Sequence, residues 1–207
     1  MITVSDERLS ENTSPLEPLR PQSNLLATVS ENAPQLIAAG KFAIHHQKSG
    51  LNPLVDAAAY LFSIMGKLRQ LKSYRHLSKL RKELIDEINQ FQEVVKAQQY
   101  SSEYILVSRY ALCATMDDII ANTPWGSQGQ WEAHSLLAAF NQEALSQERF
   151  FIILERLVKD ANLYIDVMEF MYICLSLGFK GQYRSTEFNQ NQLEQITNAL
   201  YLSLIHI

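Results

Sequence analysis

From Asn52 onward the apolar positions recur every three or four residues, the spacing that puts them on one face of a helix. Asn52 can cap such a helix with Pro53 at its first position, where a missing N–H costs nothing. Leu54, Ala58, Leu61, Phe62 and Met65 then share a face, which Leu68 and Leu71 extend. A second helix over about 76–98 places Leu77, Leu80, Leu84, Ile88, Phe91 and Val95 inward. Its other face carries Lys79, Lys82, Glu83, Asp86, Glu87 and Glu93 and is solvated. Ser101 or Ser102 caps a third helix that ends near Asn122, with Glu103 favourably placed in its first turn. Thr123-Pro-Trp-Gly126 breaks that helix. Shorter helices follow over about 131–142 (Trp131 to Phe140) and 147–160, the latter capped by Ser146, with Phe150, Phe151, Ile153, Leu154 and Leu157 inward.

The helix predicted for 164–177 is apolar almost all round and belongs at the centre of a bundle. Gly178 fits a left-handed C-cap and Gly181 a tight turn beyond it. A last helix over about 187–201 runs through Phe188, Leu193, Ile196 and Leu200. No strand-type alternation and no repeat interrupts the series. The predicted class is all-α, a bundle of about seven helices over residues 51–201.

The two ends read differently. Residues 1–50 hold Pro15, Pro18, Pro21 and Pro34 among Ser, Asn and Glu, and are expected to be mostly disordered. Only 35–50, with Leu36, Ile37, Phe42 and Ile44, predicts a weak helix, punctuated by Gly50 and Pro53. Met1 to Ser14 lacks the basic and apolar regions of an export signal. The last six residues, Leu202-Ser-Leu-Ile-His-Ile207, break the preceding polar pattern and match what a transposase-end sequencing adapter encodes in one frame. They are read as a non-native tail after Tyr201, the alternative being a genuine apolar terminus. The longest uncharged stretches span about ten residues against the roughly 20 a spanning helix needs, so the chain as given is expected not to cross a membrane.

Charge and chemistry narrow the function. Eighteen basic and 22 acidic residues give a net charge of −4, with no basic stripe for nucleic acid. Cys113 and Cys174 lie in apolar helical sequence and read as buried free thiols of a reducing compartment. Adjacent Asp117 and Asp118 point about 100° apart on a helix, so they do not form a catalytic pair by themselves. His45-His46 lies in weakly ordered sequence, and Glu132 and His134 are two apart, the wrong spacing for shared ligation. No phosphate-binding Gly loop appears. Catalysis, cofactors, metals and small-molecule substrates are therefore not expected.

Four residues stand out as partner-binding candidates. Asp117 and Asp118 fall in the last turns of a helix, where the macrodipole disfavours negative charge and no nearby Lys or Arg follows. An acidic pair there could meet a partner's basic groups, or be paired to a distant Arg, or be solvated. Arg109, earlier in the same helix, reads as an internal salt-bridge partner. Trp125 and Trp131 bracket the Gly-containing loop and either pack the helix junction or anchor a partner. Tyr183 is expected to pack on the bundle, and Arg184 to bond helix-end carbonyls.

Several of these motifs occur together in an order that resembles the DotU/IcmH/TssL family. They are Asn52-Pro-Leu54, Tyr110-Ala-Leu-Cys-Ala114, the acidic pair, Thr123-Pro-Trp-Gly126, Glu148-Arg-Phe-Phe151 with Leu154-Glu-Arg-Leu157, Leu175-Ser-Leu-Gly-Phe179, and Gly181 with Tyr183-Arg184. The chain departs from the family in having Asp-Asp where Asp-Glu is common. It also has Asn141-Gln-Glu143 and Ser146-Gln147 where a His-x-Glu and a Gly-Gly are common.

The resemblance implies a cytoplasmic helical domain, two small bundles joined at an angle, hung from a C-terminal inner-membrane helix that residues 202–207 would have replaced. It implies a non-enzymatic scaffold of a bacterial type VI secretion system. Such a scaffold pairs with an IcmF/TssM-type inner-membrane partner, recruits baseplate proteins, and could form a homodimer through the membrane helix. The alternatives are the same role in a type IVB (Dot/Icm) system, stabilising its core, or a soluble helical adaptor. By the same resemblance Asp117 and Asp118 are the expected docking surface.

Overall fold

The computed structural model describes residues 52–127, 131–140 and 148–206. Seven α-helices and two 3-10 turns make up the order among these residues: α1 Pro53–Gln70, α2 Leu77–Ala97, α3 Ser102–Ala121, a turn at Glu132–His134, α4 Leu136–Ala139, α5 Glu148–Lys159, α6 Ala161–Leu177, a turn at Gly181–Arg184, and α7 Glu187–Ile205. The all-α class read from the sequence holds.

Local chemistry sets most ends. Asn52 takes an extended conformation and its Oδ1 accepts from the N–H groups of Leu54 and Val55, with Pro53 at the first helical position. Ser101 caps α3 through the N–H of Tyr104, and Thr186 caps α7 through that of Asn189. Gly178 closes α6 at φ 117°, a backbone that L side chains rarely adopt, and the N–H of Phe179 bonds back to Cys174.

Helix α6 is the axis. It packs against α1, α3, α5 and α7, while α1, α2 and α3 also pack on one another and α4 sits on α3. The helices thus fall into two groups, α1–α4 and α5–α7, that share α6. One continuous apolar cluster runs through both, with Phe170, Met171 and Cys174 of α6 fully buried. From Tyr110 to Ile120 every residue of α3 is buried, so its second half lies inside the molecule. Cys113 and Cys174 are buried free thiols.

Three expectations change. The helix expected over 131–142 is instead a 3-10 turn and the four-residue α4, separated by Ser135 at φ −47°, ψ 135°. Helix α6 begins three residues early, across a non-helical Tyr164 (φ −110°, ψ 20°). Helix α7 continues past Tyr201 to Ile205, because Leu202, Leu204 and Ile205 keep the helical backbone. The stretch Ala161–Arg184 is long and apolar enough by composition to cross a membrane, and it contains the bundle's central helix, whose apolar character has a core to fill. The weak helix over 35–50, the disordered 1–50 segment up to Leu51, the Ser146 cap and the 141–147 departures lie outside the described residues.

Candidate functional site: two carboxylates that join three segments

Asp117 and Asp118 are consecutive, so their side chains leave α3 about 100° apart and meet different parts of the chain. Both are buried, at 8% and 2% exposure. Asp117 accepts four hydrogen bonds from the segment after the Thr-Pro-Trp-Gly turn. Its donors are Trp131 Nε1 at 2.8 Å, Ser135 Oγ at 2.8 Å, and the backbone N–H groups of Leu136 at 2.9 Å and Leu137 at 3.0 Å. The first N–H groups of a helix have no partner inside it. Asp117 therefore caps α4 from across the fold, while Ser135, the local cap, serves Ala138. Burial pushes the Asp117 pKa above the ordinary carboxylate value, and the bonds from Leu136, Leu137, Ser135 and Trp131 pull it back by less.

Asp118 reaches the other way, to the turn that follows α6. Its Oδ2 accepts from the N–H of Lys180 at 2.9 Å, the N–H of Gly181 at 3.4 Å and Arg184 Nη2 at 2.6 Å. The left-handed Gly178 and Gly181 (φ 50°) let this turn point successive N–H groups at one oxygen. Asn122 Nδ2 donates to Asp118 Oδ1 at 3.4 Å. The unfavourable macrodipole at the end of α3 is thus offset by donors supplied from elsewhere.

The Thr-Pro-Trp-Gly turn lies between these two anchors. Thr123 Oγ1 donates to the Ile120 carbonyl and accepts from the Gly126 N–H. A Cβ at Gly126 would lie 2.0 Å from the Ile120 carbonyl oxygen, so only glycine fits. Trp125, 7% exposed, donates from Nε1 to the Leu71 carbonyl at the end of α1 and packs on Tyr74. Beyond Asp118 an aromatic cluster holds α5 to the Gly181 turn: Phe150 and Phe179 at 4.3 Å between ring centres, Phe151 and Tyr183 at 4.6 Å.

Four readings of the sequence are thereby corrected or narrowed. Asp117 and Asp118 are not an exposed acidic pair, because both are enclosed and their oxygens are occupied by donors of the same chain. Arg109 does not pair with Asp117: it donates to Gln92 Oε1 at 2.8 Å and lies over the Phe140 ring. Arg184 bonds Asp118 rather than helix-end carbonyls, and is the distant arginine of the acidic pair. Trp125 and Trp131 (1% exposed) turn their N–H groups inward and pack the helix junctions. Tyr183 packs on Phe151 as expected. Among the described residues no group of three or more His, Cys, Asp or Glu is placed to hold a metal ion.

Sequence reasoning missed one tie altogether. Asn52 Nδ2 donates to the Asp166 carbonyl at 3.0 Å and to Glu169 Oε2 at 2.9 Å, so the cap of α1 also pins α1 to α6. Tyr100 donates to the Asp166 carboxylate at 2.6 Å. Both of the acidic residues on apolar α6 find partners this way. The position of Asn52 was readable as a cap, but its second set of bonds spans more than a hundred residues and left no local signal.

Every motif that carried the family resemblance takes part in this network or in the core beneath it. Fold and site together define an all-α domain whose helices are joined through two buried carboxylates. A family model described as type VI secretion system protein DotU matches residues 53–206, and the chain belongs to that family. Among solved structures it is similar to TssL from Vibrio cholerae, with 31% identity, a TM-score of 0.67, and coverage of 76% of this chain and 99% of that one. It is also similar to the cytoplasmic domain of TssL from Acinetobacter baumannii, at 25% identity and a TM-score of 0.68 over 76% and 99% of the two chains. SciP/TssL from Escherichia coli Enteroaggregative 042, at 19% identity, a TM-score of 0.59 and coverage of 72% and 88%, shares the fold. The comparison with curated proteins returned no match.

Proposed function

We propose that this chain is the cytoplasmic domain of an inner-membrane scaffold of a type VI secretion system, which pairs with an IcmF/TssM-type membrane protein and recruits baseplate components. The observation that carries the reading is the family match across residues 53–206, described for type VI secretion. That description favours type VI over a type IVB role. The Acinetobacter relative is itself a cytoplasmic domain, which supports the cytoplasmic side.

The role proposed for the carboxylates follows from their burial. Asp117 and Asp118 hold the surface in shape and do not themselves meet a partner; reversing both charges would unfold the domain instead of leaving it folded and unable to bind. What a partner would contact is the exterior built over them.

The test is co-expression of the chain, fused to an affinity tag, with the IcmF-type and baseplate proteins encoded beside its gene. Capture of the IcmF-type protein, together with loss of effector secretion on gene deletion, is the expected result. A folded, helical chain that captures none of them, in a strain whose secretion survives the deletion, would overturn it.

A further inference from the structure

Helices α5 and α7 both pack on α6 and leave a groove of about 500 Å³ between them. Its walls include Ile152, Val158, Ile196 and Leu200, and its charged residues among those described are Glu148 and Glu155. Glu155 also faces Lys159 at 3.8 Å across an exposed pair. The face is unusually bare for so apolar a surface. Helix α7 fully buries only Leu200, and Ile152 and Val158 on the α5 wall of the groove stay exposed. Exposed apolar surface of this kind marks a contact.

The sequence contains a segment of matching chemistry. Residues 32–55 hold no Asp or Glu before Val55, whereas residues 1–31 hold Asp6, Glu7, Glu11, Glu17 and Glu31. Within the acid-free stretch, Leu36, Ile37, Phe42 and Ile44 alternate with Lys41, His45, His46 and Lys48. Apolar groups suit the groove walls, and the lysines suit Glu148 and Glu155. Tethering also favours the contact. Asn52 is pinned to Asp166 and Glu169 of α6, the helix that carries both walls. Residues 44 and 36 lie eight and sixteen positions before it, a reach of up to roughly 26 to 55 Å for extended chain. A domain of this size has a radius of gyration of about 15 Å, so the segment spans the distance. A short tether gives it an effective concentration near the millimolar range. A second copy meeting the same face about a two-fold axis would bring Glu148 and Glu155 against their own kind, which charge opposes.

We propose that the groove between α5 and α7 is the docking site of this chain's own segment 36–48, its apolar residues in the groove and its lysines at Glu148 and Glu155. Docking of this segment does not depend on the secretion partners.

A nitroxide tests this in the full chain. Ser203 lines the groove, and Cys113 and Cys174 are buried, so a label on Ser203→Cys goes to that site alone. The NMR signals of residues 36–48 should broaden, and should sharpen again in Phe42→Asp/Ile44→Asp, whose changes lie outside the described fold. Glu148→Lys/Glu155→Lys should weaken the broadening at low salt. Signals of 36–48 that the label leaves sharp would overturn the proposal. So would broadening in a mixture of labelled chain with isotope-enriched unlabelled chain, which would put a second copy in the groove.

Discussion

Asp117 holds four donors with two oxygens in a nearly closed site, and three of those donors are buried with it. Removing the carboxylate in Asp117→Ala strands the indole N–H of Trp131 and the first N–H groups of α4. An unsatisfied buried donor costs about 1–3 kcal/mol, so a loss on the order of 3 kcal/mol or more is expected, a large share of a domain's usual 5–15 kcal/mol. Chemical denaturation measures it. Asp117→Asn isolates the titration. The folded pKa is raised, so the contribution of this proton site is fully present below the unfolded pKa and is lost as pH rises through the folded one. The stability of the native chain relative to Asp117→Asn should therefore shrink as pH climbs from the ordinary carboxylate value upward, which denaturation at a series of pH values reads. The two thiols give a simpler check. Burial raises the pKa of Cys113 and pushes that of Cys174 up to about 12. Neither should be alkylated in the folded protein at pH 8, and both should be once it is unfolded.

Helices show where the chain's pattern was readable and where it was not. Helices α1 and α3 carry their own caps, at Asn52 and Ser101, and α2 carries its period in the Leu77-to-Val95 series, and each was legible. For α4 a helix was legible but not its short extent, because four residues are too few to set a period and Asp117, which takes its first N–H groups, lies nearly twenty positions away. A longer separation, 66 positions, hid the Arg184 partner of Asp118. The acidic pair was legible as an anomaly at a helix end, and only the folded chain shows the donors that resolve it. The Thr-Pro-Trp-Gly turn lies between these cases: Gly126 was readable as a helix breaker but not as a close approach. Gly126→Ala places a methyl 2.0 Å from a backbone oxygen, so the end of α3 must move. A loss of about 2 kcal/mol or more is expected, seen as a lowered melting temperature.

The molecule as a whole is organised by α6, which α1, α3, α5 and α7 all contact and whose following turn is tied to α3 through Asp118. A partner that docks on the outside thus meets a surface whose parts are fixed by internal charge and hydrogen bonding, not by apolar packing alone. Asp118, Arg184 and the IcmF-type partner proposed above decide whether that is so. Thermal melts of Asp118→Ala, Arg184→Ala and the double variant form a cycle, run alongside capture of the partner below each melting temperature. Both single variants should melt earlier, the double should lose less than their sum by about 0.5–3 kcal/mol, and each should still capture the partner while folded. Melting temperatures that do not move, with capture abolished by Asp118→Ala, would make Asp118 a docking group and contradict the structural role assigned to it.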